Sequence, residues 1–160
     1  MSKPSTPQRH PQRHLLVDVA RQVLEMIEEG VVSATWPVST SRFGLGFEEG
    51  SFRTPTGRFR IAEKIGEGAP AGMIFRSRIA TGKVAEQGGE EDLVLTRILW
   101  LEGLDPQNAN TRQRYIYIHG TNQEHLIGTP ASHGCIRLRN DDMIDIFGRV
   151  HEGTHVEIKS

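Results

Sequence analysis

The sequence predicts a mainly β fold with short helices, formed by a single domain. Its 160 residues, 36% hydrophobic and 24% charged, suffice for one buried core. Short β-branched and aromatic runs, separated by glycine and proline, recur along most of the chain. A helical repeat of apolar residues is clear only between residues 140 and 150.

Two short strands are predicted near the N-terminus. Residues 1–13 are polar and proline-rich, so we expect a flexible tail there and one domain over residues 14–160. The period of residues 15–28 fits either a helix or alternating strands. We interpret this segment as two strands that turn near Ala20 to Gln22, because a β-rich run follows it.

Glycine-rich loops divide the middle of the chain into further strands. The segment 41–57 is a long loop of the kind that often borders a site. Residues 66–72 form a second loop, and residues 80–92 are expected to be a solvated excursion whose charge run is Glu90, Glu91 and Asp92. The runs between these loops predict strands at Arg58–Ile65, Met73–Arg78 and Leu93–Leu101.

The C-terminal segment is predicted to be a helix followed by a strand. Asn140 or Asp141 can cap the helix. Its apolar residues recur at helical spacing, so this face should pack on the core, and a final strand is expected at Thr154–Ile158. The apolar face comprises Met143, Ile144, Ile146, Phe147 and Val150.

The chemistry of the chain is concentrated in residues 115–140, which hold its only cysteine. Residues 115–118 alternate aromatic and β-branched side chains, which predicts a strand that presents His119 at its end. Gly120 then breaks the strand. Turn-forming residues follow, so the chain can fold back and bring His119 to Cys135.

Cys135 needs a base to act as a nucleophile. The thiolate is the reactive form, and a free cysteine with a pKa of about 8.5 is only a few per cent ionised at neutral pH. We expect His119 to take the thiol proton and to return it to a leaving amine. Gly134 lacks a Cβ, so backbone N–H groups of its turn can face a developing oxyanion.

Four motifs together resemble one known family. They are WPVSTS at residues 36–41, TPTGRFRI at 54–61, IHGTN at 118–122 and SHGCIRL at 132–138, the last followed by an Asn-led helix. The pattern resembles the L,D-transpeptidase catalytic domains, the YkuD-type cysteine enzymes of peptidoglycan metabolism. The resemblance covers residues 14–158 and implies a YkuD-like β-sandwich.

The resemblance also implies roles for individual residues. Cys135 would be the acylated nucleophile and His119 the base, with no cofactor and no metal. The backbone N–H of Cys135 would join the oxyanion hole. The rest of the oxyanion hole and pocket would be formed by Ser132, His133, Gly134 and Arg137.

Other interpretations of the histidines and the cysteine are a zinc site and a binding module. His119, His125, His133 and Cys135 could together hold zinc, but only His133 and Cys135 are closely spaced, and an HExxH motif is absent. A catalytically silent peptidoglycan-binding module would need neither the thiol nor its base. His125 has no counterpart in the motifs, so we interpret it as an exposed loop residue.

Arg137 has two interpretations of equal standing. It can pair with Asp141 or Asp142 as a structural arginine, or it can hold a substrate carboxylate.

Charge and composition exclude several classes of partner. The net charge of -1 gives no electrostatic reason to expect nucleic acid. The single cysteine excludes an intrachain disulfide. The sequence holds neither the apolar run of a secretory signal nor a span of about 20 apolar residues, so we expect no membrane partner. If the chain is full length, we expect a cytoplasmic protein; if a signal peptide was removed, a periplasmic or cell-wall one.

The implied reaction cleaves a peptidoglycan stem tetrapeptide or muropeptide. Cys135 would attack the carbonyl of the L-centred diamino acid, expel the terminal D-amino acid and form a thioester. Water would then give L,D-carboxypeptidation, whereas an amine from another stem would give transpeptidation.

With a cytoplasmic location we expect an L,D-carboxypeptidase of muropeptide recycling; the alternative is a cell-wall L,D-transpeptidase that forms cross-links or exchanges D-amino acids. Carbapenems are expected to be covalent inhibitors.

Overall fold

The computed structural model describes residues 12–160, so residues 1–11 of the predicted tail lie outside the described residues. Helical structure comprises α1 (Asn140–Arg149) and two short 3₁₀ helices, Pro106–Asn108 and Glu124–Leu126. The strands are β1 (Arg13–Asp18), β2 (Val23–Glu28), β3 (Val31–Pro37), β4 (Gly57–Ile65), β5 (Met73–Arg76), β6 (Ile79–Val84), β7 (Val94–Gly103), β8 (Tyr117–Gly120), β9 (Ile136–Leu138) and β10 (His155–Lys159).

The ten described strands form one hydrogen-bonded sheet, which confirms the prediction of a mainly β single domain. The strand order is β3-β2-β1-β10-β4-β7-β5-β6, while β8 pairs with β7 and β9 pairs with β8. Pairing is parallel between β1 and β10 and between β8 and β9, and antiparallel in the other pairs.

The two ends of this sheet meet. Ser39, which follows β3, exchanges both backbone hydrogen bonds with Arg137 of β9, each 2.9 Å long. The predicted sandwich is therefore built from one sheet that closes around its core. The closure also brings the long loop after β3 beside β9, where the cysteine lies.

The first two strands confirm the choice of strands over a helix. Leu15 pairs with Met26 and Val17 with Leu24 across antiparallel β1 and β2, and all four side chains are fully buried. Alternation along a strand places these residues on one face. They join a core that also contains Phe59, Ile61, Leu99, Leu101, Ile118, Ile136, Leu138, Met143, Ile146 and Phe147.

Two details predicted for α1 are wrong. The N-cap is Arg139, and Asn140 is the first helical residue, because its side chain is used elsewhere. Asn140 Nδ2 donates to the carbonyl of Thr121 at 3.1 Å, and Thr96 Oγ1 donates to Asn140 Oδ1 at 2.6 Å. Ile144 is predicted on the apolar face of α1, but its side chain is 36% exposed because it points away from the buried side of the helix.

Gly120 ends β8 where the chain comes closest to α1. A Cβ at this position would lie 2.2 Å from Asn140 Oδ1, so only glycine fits. The close approach holds the end of β8, and hence His119, against the start of the helix.

The segment 80–92 is only partly the solvated excursion that the sequence predicts. Residues 79–84 form strand β6, which pairs with β5, and every β6 side chain is exposed. Such a strand has no apolar alternation, so the sequence carries no sign of it. Strand β5 ends at Arg76 rather than Arg78, because Ser77 and Arg78 adopt positive φ angles of 49° and 66° in a tight turn.

Candidate active site

Parallel pairing of β8 and β9 places His119 and Cys135 on the same face of the sheet. His119 is in register with Arg137, so Cys135, one residue before β9, lies beside Tyr117. Side chains alternate along each strand, so His119 and Cys135 are diagonal neighbours. A strand spacing of about 4.8 Å and a rise of about 3.3 Å per residue put their Cα atoms about 8 Å apart. The chain thus folds back by strand pairing.

The predicted start of this strand is wrong. Tyr115 has a positive φ of 56° and lies in a turn, so β8 begins two residues later, at Tyr117. The strand continues to Gly120, so His119 is its penultimate residue and only 2% exposed, instead of standing at its end.

His119 is held as a neutral base. Its Nδ1 lies 2.5 Å from the carbonyl oxygen of Gly120, which can only accept a hydrogen bond, so Nδ1 carries the proton and Nε2 is the free acceptor. Burial lowers the pKa of His119, and nearby Arg137 lowers it further, against the opposing effects of Asp92 and Gly120. A neutral imidazole with a free Nε2 can accept a thiol proton.

The thiol of Cys135 is neutral at rest. Its Sγ accepts a hydrogen bond from the N–H of Tyr117 (3.3 Å) and donates one to the carbonyl of Tyr115 (3.4 Å). Burial of the sulfur raises the pKa of Cys135 to about 12, although the Tyr117 N–H and Arg114 act in the opposite direction. Within residues 12–160, the thiol makes no hydrogen bond to His119. The thiol is therefore not ionised at rest, and the role of His119 as its base stays a prediction.

The turn before Cys135 is braced by Ser132. The Oγ of this buried residue donates to the carbonyl of Cys135 at 2.7 Å and accepts from the N–H of Gly134 at 3.3 Å. Gly134 adopts a φ of +121°, which other residues rarely reach, and Thr54 Oγ1 donates to its carbonyl at 3.0 Å. Ser132 thus fixes the backbone around the cysteine, and its part in the substrate pocket stays a prediction.

The sequence predicts an oxyanion hole formed by the backbone N–H groups of His133, Gly134 and Cys135, but the N–H of Gly134 already has a partner. The Gly134 N–H is directed at Ser132, whereas the N–H groups of His133 and Cys135 make no hydrogen bond with the described part of the chain. These two amides remain available to an oxyanion.

Arg137 is a buried arginine, and both predicted interpretations of it need correction. Its fully buried guanidinium donates to Asp92 Oδ1 at 3.0 Å, to Gln123 Oε1 at 2.6 Å and to Ser39 Oγ at 3.1 Å. It does not pair with Asp141 or Asp142, and it has no exposed surface to offer a substrate carboxylate. Its Nε is buried without a partner among residues 12–160. Arg137 therefore supports the site through these buried hydrogen bonds.

Asp92, predicted to belong to a solvated charge run, is instead a residue of the site. Its Oδ2 lies 3.0 Å from His133 Nδ1, while its Oδ1 binds Arg137. Burial raises the pKa of Asp92, but the charge interactions with His119 and Arg137 and the hydrogen bonds from His133 and Arg137 lower it, so the net shift is downward and the carboxylate is ionised. The partner Arg137 lies 45 positions away in the sequence, so no local pattern indicates the pair.

The long loop after β3 borders the site, as the sequence predicts. The rings of Phe43 and Phe52 are 43% and 55% exposed, and their centroids lie 6.0 and 5.7 Å from that of His133. Thr54, in the same loop, holds the turn before the cysteine.

Across residues 12–160, no group of three or more His, Cys, Asp or Glu side chains is placed to hold a metal ion. His125 is exposed, as predicted. No helix in the same range is long and apolar enough to cross a membrane.

Comparison with known proteins decides the family. Residues 12–158 match the sequence profile of YkuD, the L,D-transpeptidase catalytic domain. The chain belongs to this family. It is also 40% identical over 146 residues to a putative L,D-transpeptidase, YqjB of Bacillus subtilis, covering 91% of this chain and 70% of YqjB.

Solved L,D-transpeptidases share the fold of this YkuD-family domain. L,D-transpeptidase 3 from Mycobacterium tuberculosis, in complex with a faropenem-derived adduct, superposes with a TM-score of 0.62 at 17% identity. LdtMt1 in complex with imipenem superposes with a TM-score of 0.60 at 19% identity. The superpositions cover 94% and 93% of this chain but only 61% and 59% of those chains. The structures therefore show a common catalytic-domain fold.

Proposed function

We propose that this YkuD-family domain catalyses cysteine-dependent acyl transfer on peptidoglycan stem peptides, cleaving the L,D bond before the terminal D-amino acid. The observation that supports it best is the diagonal placement of Cys135 and His119 on one face of β8 and β9, with His119 Nδ1 bound to Gly120. Family membership supports the substrate class.

The first step couples proton transfer to attack. Because the thiol of Cys135 has a raised pKa, it is not ionised in advance. As Sγ bonds to the carbonyl carbon of the L-centred residue, its proton passes to Nε2 of His119. The imidazolium that forms keeps its Nδ1–H bond to the Gly120 carbonyl, which favours the charged form.

The tetrahedral intermediate collapses with loss of the D-amino acid. Its oxyanion accepts hydrogen bonds from the free N–H groups of His133 and Cys135. The C–N bond breaks, and His119 returns the proton to the leaving amine. The product is a thioester on Cys135 and a neutral imidazole.

The acceptor of the thioester decides the biological role. We favour water, activated by His119, so that the domain acts as an L,D-carboxypeptidase on soluble muropeptides of cell-wall recycling in the cytoplasm. This choice follows from the proposed cytoplasmic location, because cross-linkable peptidoglycan lies outside the cytoplasmic membrane. The names of the relatives favour the alternative, in which an amine attacks and the domain is a cell-wall L,D-transpeptidase.

β-Lactams are the inhibitor class that this site should bind. Two structural neighbours are complexes with imipenem and with a faropenem-derived adduct. By the same chemistry, Cys135 would attack the strained lactam carbonyl and remain acylated.

The test is incubation of the protein with a disaccharide tetrapeptide, followed by mass spectrometry. We expect loss of one D-alanine. A dimer or an exchanged D-amino acid would instead support the transpeptidase.

Two additions separate the remaining outcomes. Turnover should persist in excess chelator, whereas its loss would support a zinc site. An unchanged tetrapeptide, with bound substrate detected by calorimetry, would replace the enzyme with a binding module.

A further inference from the structure

Resting on the proposed function, we propose that Asp92 is a positioning residue of this active site: its carboxylate joins the buried Arg137 to the exposed turn at His133 and balances the charges around His119 and Cys135. Asp92 lies outside the four sequence motifs that carry the family resemblance.

The loop that carries Asp92 is held firmly against the end of β8. Asn122 Nδ2 donates to the carbonyls of Gly88 (2.8 Å) and Glu91 (2.9 Å), and its Oδ1 accepts from the N–H of Leu93 at 3.2 Å. Gln123 Nε2 donates to the carbonyl of Gly89 at 3.0 Å. These hydrogen bonds hold the residues on both sides of Asp92. The position of Asp92 is therefore fixed by Asn122 and Gln123, which follow β8.

Asp92 bridges two elements of the site with its two oxygens. Oδ1 accepts from Arg137 in the middle of β9, and Oδ2 accepts from Nδ1 of His133 in the turn before Cys135, each at 3.0 Å. His133 is 42% exposed and so is held mainly by this contact and by its neighbouring phenyl rings. The bridge therefore orients the residue whose backbone N–H faces the proposed oxyanion.

The charge of Asp92 also acts on both reacting groups. The ionisable groups around His119 are Asp92 and Arg137, and those around Cys135 are Asp92, Arg114, Tyr117 and Arg137. The Asp92 carboxylate raises the pKa of His119, which favours the imidazolium, and raises the pKa of Cys135, which disfavours the thiolate. Asp92 thus favours the state in which the proton lies on His119 and the sulfur is bonded to carbon.

The two effects predict opposite changes in the Asp92→Asn variant, which keeps the shape and removes the charge. We expect kcat for the stem peptide to fall roughly tenfold with KM little changed, because the developing imidazolium loses a favourable charge. Alkylation of Cys135 by iodoacetamide should become faster, by about three- to fourfold for each unit by which the thiol pKa falls, because the thiolate fraction rises while the nucleophilicity of each thiolate declines. Both limbs of the pH–rate profile should move to lower pH.

The matched control is Glu90→Gln, which removes an exposed charge two residues away. It should leave turnover, alkylation and the pH profile unchanged. If Asp92→Asn behaves like this control, the proposal is wrong. If Asp92→Asn slows both turnover and alkylation, Asp92 has only a structural role, which also overturns the proposal.

A second variant covers the case in which Asp92→Asn fails to fold, since it leaves Arg137 buried without a counterion. Asp92→Glu keeps the charge but displaces it from both contacts, so alkylation should stay near the wild-type rate while kcat falls. Wild-type turnover in this variant would contradict the positioning role. Alkylation needs no peptide, so it tests Asp92 even if the proposed substrate is not turned over.

Discussion

The two faces of the β8–β9 pair show how differently stability and reactivity are encoded. One face carries Ile118 and Ile136, both fully buried in the main core. The other carries His119, Cys135 and Arg137, whose state depends on specific polar partners. Apolar burial is non-directional and needs only the right alternation, whereas each polar group needs a partner at hydrogen-bond distance. The apolar face should therefore govern folding, and the polar face activity.

The largest expected effect is a loss of activity without a loss of stability, caused by a change on the polar face. Cys135→Ala should reduce turnover of the tetrapeptide by roughly 10⁴-fold or more, because the acyl-enzyme cannot form. The free energy of unfolding in urea should change by less than about 1 kcal/mol, since the thiol is bound only through weak sulfur contacts. A carbapenem should add covalently to the wild type and not to this variant, as read by intact mass. Retained turnover would remove Cys135 from the mechanism.

A change on the apolar face should give the reverse pattern. Ile136→Ala removes a fully buried side chain between the catalytic residues and should lower the free energy of unfolding by about 2–5 kcal/mol. Turnover per folded molecule should stay close to that of the wild type. Ile144→Ala, at an exposed position of α1, is the matched control and should change stability by about 0.5 kcal/mol at most. If Ile136→Ala lost activity but kept its stability, the division between the faces would be wrong.

The smallest expected effect is a change of stability at high pH. The pKa of Cys135 rises from 9.0 to about 12 on folding, so above pH 9 the unfolded chain releases a proton that the folded chain retains. Stability from the neutral thiol is therefore present below pH 9 and is lost as the pH rises towards 12. The loss should be less than about 1.4 kcal/mol per pH unit, because Cys135 is partly exposed.

Urea unfolding under reducing conditions measures this loss, with Cys135→Ala as reference for the tyrosines and lysines that titrate in the same range. The wild type should lose stability relative to the variant as the pH rises. Parallel curves would show that the folded and unfolded thiols titrate alike.

The fold was predictable where local patterns agree with the tertiary structure. β1 and β2 alternate buried and less buried residues, and their hairpin follows from that pattern. Strand β6 was missed because it is exposed on every side and stabilised only by pairing. The cap of α1 was misplaced because Asn140 binds Thr121, a contact that no local rule contains.

The site was predictable only as far as its motif reaches. His119 and Cys135 follow from IHGTN and SHGCIRL, but their catalytic roles are still predictions. Asp92 lies outside any motif, in a run of acidic residues whose other members are exposed. Its burial depends on Asn122 and Gln123, which hold the loop in place.

The sequence by itself determined the strand pattern, the single thiol and the motifs that indicate the family. Only the tertiary structure decided that the thiol of Cys135 is neutral, that His119 offers Nε2, and that Asp92 and Arg137 form an ion pair beside them. The physical reason is that desolvation and Coulomb interactions depend on distances between atoms, and here those atoms belong to segments far apart in the chain.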